Sequence, residues 1–235
     1  MNFKAGVIVS GPMLWEFAPG PYKWRRLASL ETNDDRKIPV PLPIRYGSKS
    51  AGRQNTYRIV YSNHAAVLPG QGYILELSER TISSLVLKNQ GVAAGAAEGV
   101  YLWEGASLKN LTCTVGLLLH PEIAAKHEQD AGIIRRQWSA RYASFKDFDP
   151  LDYCIDGEAP VIDENGLMHI PWTAEMNEFD ILFVPINKPD PRRLLLPEEI
   201  AAQIKASGYR TYFENNVETG IRTFQDDEII RYLNS

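Results

Sequence analysis

Gly6-Val-Ile-Val-Ser-Gly-Pro-Met-Leu-Trp15 is the stretch from which the organisation of this chain can be built outward. Its first half is a short apolar run rich in β-branched residues, which predicts a buried strand. Gly11-Pro12 ends that strand, because proline cannot donate a hydrogen bond to a neighbouring strand. A turn of this kind exposes the backbone N–H groups of the residues that follow, and such groups can bind an anion or an oxyanion.

Further strands and helices are predicted along the chain by composition and periodicity. Runs rich in β-forming residues predict strands at 56–61, 72–77, 99–103, 111–119 and 179–184, and the proline-rich segment 38–43 is extended. Apolar residues at helical spacing predict helices at 80–88, 122–142 with a possible break at Gly132, 197–207 and 226–233. Asn165-Gly166 is a strong hairpin signal between two further strands at 153–161 and 167–172.

This order of elements predicts the α+β class, as a small mixed β-barrel or sheet with flanking helices. Strict alternation of strand and helix does not occur, and neither does a glycine-rich nucleotide-binding motif, which argues against a Rossmann sheet. We expect a core over residues 1–144, a β-hairpin extension packed on it over 145–184, and a linker with C-terminal helices over 185–235.

Composition narrows the functional classes. The chain has 235 residues, of which 44% are hydrophobic and 23% charged, as in an ordinary globular protein. The net charge of −4 gives no general electrostatic attraction to nucleic acid. Apolar runs are too short for a membrane span, and two cysteines do not make a disulfide framework. We therefore expect a cytoplasmic protein without a membrane partner.

Glu98 is the candidate catalytic residue. It lies in Gly91-Val-Ala-Ala-Gly-Ala-Ala-Glu-Gly-Val-Tyr-Leu-Trp103, among small and apolar residues just before a predicted strand. Apolar surroundings disfavour the charged form of a carboxylate and so raise its pKa, which suits a general acid/base near neutral pH. The alternative is a solvated glutamate in a turn.

Other groups of polar residues give weaker evidence for a functional site. The four histidines and two cysteines have no metal-ligand spacing, and the acidic residues between 147 and 158 do not match a calcium loop, so we expect no metal and no cofactor. The segment 44–58 places Arg45, Lys49, Arg53 and Arg58 among tyrosines. Such a segment can be a solvated loop, an anion-binding loop, or a single-strand nucleic-acid contact, and the net charge of −4 disfavours the last of these.

The chain resembles the γ-glutamylcyclotransferase-like family over residues 5–121, about half its length. That family has Tyr-Gly-Ser-Leu-hydrophobic-Trp after its first strand, where this chain has Ser10-Gly-Pro-Met-Leu-Trp15. It continues with an Arg-Gly-Thr segment, a strand, a Gly-hydrophobic-Ala-Tyr strand, and a helix that leads to its catalytic glutamate. Arg53-Gln-Asn-Thr56, strand 57–61, Gly72-Tyr-Ile-Leu75 and Ala97-Glu-Gly-Val100 follow here in the same order.

The resemblance implies a fold, a reaction and a set of residues. The reaction is intramolecular aminolysis of a small γ-glutamyl compound, which releases 5-oxoproline without metal or cofactor. Glu98 would be the general acid/base, the loop residues Ser10, Gly11, Pro12, Met13 and Leu14 would bind substrate, and Arg53 would steer the anionic substrate. Ser10 and Pro12 replace the family's tyrosine and serine, and Pro12 removes one N–H donor from the loop.

Two other hypotheses stay open beside this one. The chain is either a catalytically silent relative of the same fold, which binds a small molecule or a protein, or an unrelated α+β protein that binds nucleic acid through residues 45–58. The altered loop around Pro12 favours the silent relative.

Overall fold

The computed structural model describes residues 3–16, 37–77, 112–126 and 128–235. The seven strands in these ranges are β1 (Ala5–Val9), β2 (Ile38–Leu42), β3 (Ile44–Ser50), β4 (Thr56–Tyr61), β5 (Gly70–Glu76), β6 (Cys113–Leu119) and β7 (Ile181–Asn187). Five of them form a mixed sheet in the order β2-β5-β1-β7-β6, and β3 pairs with β4 in a second sheet. The α+β class is confirmed.

The five-stranded sheet is open and not a closed barrel. Within the described ranges β2 and β6 are its two edges, so the barrel alternative of the sequence-based prediction is wrong. Alternating apolar patterns predict that a strand has one buried face, but they do not predict whether the outer strands meet.

β1 lies at the centre of the sheet. It pairs with β5 in antiparallel register, with Val7 opposite Leu75, and with β7 in parallel register, with Gly6 opposite Leu182. All five β1 residues are buried, and β6 and β7 are buried over almost their whole length. Continuous apolar runs of this kind are typical of strands covered on both faces.

β3 lies in a segment that the sequence predicts to be a loop. Its pairing with β4 shifts register between Tyr46 and Ser48, which is a β-bulge at Gly47. A Cβ at Gly47 would lie 2.2 Å from Nη1 of Arg45, so a larger residue would clash with that buried guanidinium. The charged residues and the bulge interrupt the alternation of apolar and polar residues from which a strand is predicted.

In the part of the chain that the structure describes, five α-helices accompany the sheet. They are α1 (Pro121–Lys126), α2 (Glu128–Ala143), α3 (Pro197–Ser207), α4 (Thr211–Glu218) and α5 (Asp226–Asn234). The helix predicted at 197–207 is confirmed, and Gly208 ends it with a φ of 68°. Gly132 lies inside α2, so the break predicted there is wrong. The prediction of a helix at 80–88 and a strand at 99–103 lies outside the described residues.

The predicted hairpin is present only as a turn. Gly166 has a φ of 75° and its N–H donates to the Asp163 carbonyl at 3.0 Å, so Glu164 and Asn165 are the central residues of the turn and Gly166 follows them in the left-handed region. Beyond the turn, a single antiparallel bridge joins Ile162 to Met168, and the described segment 153–172 contains no extended strand. The backbone of this segment bonds instead to β6, where Leu117 N–H donates to the Gly166 carbonyl at 2.9 Å.

The C-terminal helices cover the core through one face each. Ile200 and Ile204 of α3, Tyr212 and Phe213 of α4, and Ile229 of α5 are buried. The stripe predicted on the last helix is confirmed for Ile229 and Leu233, while Ile230 is only partly buried.

Asp226, in the first turn of α5, is a buried carboxyl group. Its Oδ1 accepts a hydrogen bond from the Thr223 hydroxyl at 2.5 Å, whereas its Oδ2 lies 4.0 Å from Nη1 of Arg222, beyond hydrogen-bond distance. Burial raises the pKa of Asp226 from 3.8 to about 6, and the Thr223 hydrogen bond only partly opposes that effect. The folded protein therefore holds this proton more tightly than the unfolded chain does.

We expect the stability of the protein to fall as the pH rises from about 4 through 6, because Asp226 must then ionise in the interior. The whole effect amounts to about 3 kcal/mol in the free energy of unfolding. Asp226→Asn should remove this pH dependence and raise stability at pH 8 by about 1–3 kcal/mol, as measured by urea unfolding at pH 4 and pH 8. Asp227→Asn, at the exposed neighbouring position, is the control and should leave the pH dependence in place.

Candidate active site

A small polar cavity lies where the parallel strands β1 and β7 end. Its volume is about 10 Å³, which is room for one water molecule. Ligands in sheets with parallel strands commonly bind outside the carboxyl ends of those strands. The described residues that line the cavity are Ile8, Val9, Ser10, Gly11, Pro12, Met13, Arg58, Pro185, Asn187 and Tyr212.

The loop after β1 is a hydrogen-bonded turn that brings four predicted site residues to the cavity. Leu14 N–H donates to the Gly11 carbonyl at 3.1 Å, and Glu16 N–H donates to the Pro12 carbonyl at 2.7 Å. Ser10, Gly11, Pro12 and Met13 all line the cavity, whereas Leu14 packs against the hydrophobic core. A Cβ at Gly11 would approach the Tyr212 hydroxyl to 3.2 Å, so glycine allows α4 to lie close to the loop.

Three polar side chains from other elements reach the same cavity. Arg58 of β4 donates from Nη2 to the Ser48 hydroxyl at 3.2 Å, and Asn187 at the end of β7 donates from Nδ2 to the Ile59 carbonyl at 3.0 Å. The Tyr212 hydroxyl accepts a hydrogen bond from Ile59 N–H at 3.2 Å. The sheet edge and α4 thus hold these groups in fixed positions around the loop.

Asn187 and Tyr212 are not predicted from the sequence as site residues, and Arg58 is predicted only as part of a basic segment. Asn187 extends a strand that was predicted to stop earlier, and its proximity to Ser10 depends on the parallel pairing of β1 with β7. Pairing between strands so far apart in sequence leaves no local signal. Only the alternation of residue types along β4 indicates from the sequence which face of the strand carries the Arg58 side chain.

Arg53 ties the loop to α4. Its Nη2 lies 2.9 Å from Oε2 of Glu16, and its Nη1 donates to the Tyr209 hydroxyl at 3.3 Å. Its guanidinium carbon lies 5.7 Å from the ring centre of Trp15 and 5.0 Å from that of Tyr212. Burial acts to lower the pKa of Arg53, but the hydrogen bonds to Glu16 and Tyr209 outweigh it and the pKa is raised. Steering of a substrate by Arg53 stays a prediction.

Arg53→Met should loosen the loop, because it removes both the ion pair with Glu16 and the contacts with the two rings. We expect a loss of about 1–2 kcal/mol in the free energy of unfolding. The amide protons of Leu14, Trp15 and Glu16 should exchange faster with solvent, as measured by hydrogen exchange. Unchanged exchange at these three amides would contradict the anchoring role. Arg231→Met, which removes an exposed arginine, is the control.

Glu98, the predicted catalytic residue, lies outside the described residues. The structure therefore brings together four of the seven predicted site residues around one cavity and places Leu14 and Arg53 next to the same loop. The arrangement offers hydrogen-bond donors and acceptors for one small polar group.

The other constellations named from the sequence have structural roles where they are described. Asp152 pairs with Lys188 at 2.7 Å, and Glu158 accepts hydrogen bonds from the Ser62 hydroxyl and Ile155 N–H. Across the described ranges, no three histidine, cysteine or acidic side chains are grouped closely enough to hold a metal ion. A helix with the length and apolar character for crossing a bilayer is likewise not found in those ranges.

The arginine and tyrosine side chains of the basic and aromatic segment 44–58 are buried or partly buried. Arg45 and Tyr46 are fully buried, and burial lowers the pKa of Arg45. Arg53 and Arg58 are partly buried and bonded to Glu16 and Ser48, which leaves Lys49 as the exposed cation of this segment. Nucleic-acid binding through residues 45–58, which favours exposed cations and rings, stays a prediction.

The candidate site is therefore the cavity at the end of β1. It is formed by the loop to which the sequence-based prediction assigns substrate binding. No protein-family model, curated protein or solved structure matches this chain.

Proposed function

We propose that this chain is a γ-glutamyl cyclotransferase-type enzyme, which releases 5-oxoproline from a γ-glutamyl amine or peptide. The observation that carries the proposal is the cavity at the end of β1. It is lined by Ser10, Gly11, Pro12 and Met13, four of the loop residues to which the family resemblance assigns substrate binding. The mixed sheet with β1 at its centre gives this loop a rigid support.

The reaction needs a base, an acid and a place for negative charge. The α-amine of the γ-glutamyl group attacks its own γ-carbonyl carbon, the bond from that carbon to the leaving nitrogen breaks, and one proton passes from the attacking nitrogen to the leaving nitrogen. A single carboxylate between the two nitrogens can move that proton, and Glu98 is assigned this role. Holding the chain in its ring-closing conformation supplies further acceleration.

The loop after β1 has the proposed role of stabilising the negative charge that develops on the γ-carbonyl oxygen. Backbone N–H groups around Gly11 and Met13 are the proposed donors, since preorganised donors of this kind stabilise an oxyanion. Pro12 has no N–H, so the loop supplies one donor fewer than a loop with serine at that position. Polar side chains from β4, β7 and α4 surround the same space.

The test is release of 5-oxoproline from γ-L-glutamyl-L-alanine by the purified full chain, followed by chromatography and mass spectrometry. We expect release from this dipeptide and none from α-L-glutamyl-L-alanine, whose α-amine cannot close a five-membered ring on its peptide carbonyl. A folded protein that releases no 5-oxoproline from a panel of γ-glutamyl amino acids and amines would contradict the proposal.

A catalytically silent relative of the same fold is the second candidate. The size of the cavity, about 10 Å³, and the missing N–H of Pro12 both favour a site that holds a small group without reacting with it. Binding of a γ-glutamyl compound without release of 5-oxoproline would establish this alternative.

A further inference from the structure

The proline-rich strand β2 lies at one edge of the five-stranded sheet within the described ranges. An edge strand presents a row of unpaired N–H and C=O groups, to which another extended chain can bond. β2 is apolar enough to attract such a chain, because Val40 and Leu42 are buried and Ile38 is half-buried. Pro39 and Pro41 alternate with these three residues, so the hydrogen-bonding groups on its outer side depend on which way the prolines point.

The hydrogen bonds of β5 show which backbone groups of β2 face outward. Gln71 of β5 lies opposite Pro41, and it exchanges both of its backbone bonds with Arg222, at 2.7 and 2.9 Å. The N–H and C=O of one strand residue point to the same side, so Gln71 does not bond to Pro41. Bonded and non-bonded pairs alternate in an antiparallel ladder, which places Pro39, opposite Tyr73, in a non-bonded pair as well. The backbone groups of both prolines therefore point away from β5.

The outer side of β2 consequently carries carbonyl groups and no N–H donor. Proline has no backbone N–H, and Ile38, Val40 and Leu42 direct their backbone groups at β5. A neighbouring strand normally both donates and accepts hydrogen bonds, so a strand beside β2 would lose every bond that β2 should donate. Its own carbonyls opposite positions 39 and 41 would be removed from water without a partner, which is unfavourable.

β6, the opposite edge within the described ranges, is covered by other parts of the chain. Leu117 N–H donates to the Gly166 carbonyl at 2.9 Å, and Met168 N–H donates to the Leu117 carbonyl at 2.9 Å. The Tyr142 hydroxyl donates to the Val115 carbonyl. Outward groups of β6 thus have partners within the same chain, whereas the outer side of β2 depends on the residue type at two positions.

We propose that Pro39 and Pro41 keep a further strand from adding to the β2 edge, and so prevent copies of this chain from associating through it. Proline is tolerated in an edge strand where the position of its missing N–H faces away from the sheet. Pro39 is exposed and Pro41 is half-buried, so this edge reaches the protein surface. The strand that they exclude is β2 of a second copy, because two identical edges can pair in antiparallel register about a twofold axis.

The double variant Pro39→Thr/Pro41→Thr tests this role, because threonine favours strands, is not strongly apolar and restores one N–H at each position. We expect it to self-associate as its concentration rises, to a mass at least about twofold that of the wild type by light scattering. The new amides at positions 39 and 41 should exchange with solvent at least about tenfold more slowly in the associated form than in dilute solution. Pro39→Thr alone, at the exposed position, should show the same slowing at its one new amide.

Pro171→Thr is the matched control, because Pro171 is an exposed proline outside the strands. It should leave the mass at that of the wild type, and thermal unfolding shows whether each variant is folded. Folded Pro39→Thr and double variants that keep the wild-type mass at every concentration would overturn the inference. Association in which the new amides exchange as fast as in dilute solution would also overturn it, since the contact would then lie away from β2.

Discussion

Glu98→Gln should lower the rate of 5-oxoproline release by about 10²–10⁴-fold, the contribution typical of one well-placed general acid/base. Glutamine has nearly the same shape as glutamate but cannot take the proton from the attacking amine. We expect the loss in kcat, measured from initial rates of 5-oxoproline formation at saturating γ-L-glutamyl-L-alanine.

The matched control is Glu104→Gln, which removes a second carboxylate a few residues further along the chain. It should leave the rate within about twofold of the wild type, because a carboxylate without a proton-transfer role contributes only to the overall electrostatic potential of the protein. Equal losses in the two variants, or full activity in Glu98→Gln, would remove Glu98 from the mechanism.

Trp138→Ala should cost about 3–5 kcal/mol in the free energy of unfolding, the range for removing a large aromatic side chain from a core. Trp138 of α2 is 1% exposed, its ring centre lies 5.7 Å from that of Phe183 in β7, and its Nε1–H donates to the Gly166 carbonyl at 2.9 Å. One side chain therefore holds α2, the central sheet and the turn at Gly166 together.

Denaturant unfolding followed by circular dichroism measures this cost. Trp172→Ala is the control, because Trp172 is only partly buried and its Nε1–H bonds to Asn177 at an exposed position. We expect a loss for Trp172→Ala of about 1 kcal/mol. Comparable losses in the two variants would show that Trp138 does not join these elements.

Local sequence patterns predicted most of the individual elements. Pro197 at the first turn and Gly208 beyond the last define α3 at both ends, because each residue has a backbone preference that suits only that position. Buried strands such as β4 and β6 were predicted from apolar and β-branched runs. These signals act over a few residues, so one sequence is sufficient to find them.

Relations between distant elements were not predictable in the same way. Asn187 belongs to the candidate site only because β7 pairs with β1, and no residue near Asn187 records that pairing. The open sheet likewise depends on which strands remain at the edges. The loop at Gly11 was found from sequence because a strand, a glycine and a proline are adjacent there, whereas the polar groups around it come from three other elements.

The pairing of β1 with β7 has a consequence for biosynthesis. Lys4 N–H, just before β1, bonds to the Asp180 carboxylate at 2.6 Å across a separation of 176 residues. During translation the first strand therefore leaves the ribosome long before its parallel neighbour exists, and contacts between such distant segments form slowly. A nascent chain that ends before residue 181 has no β7 and no Asn187, so the cavity at the end of β1 is completed only after residue 187 has been synthesised.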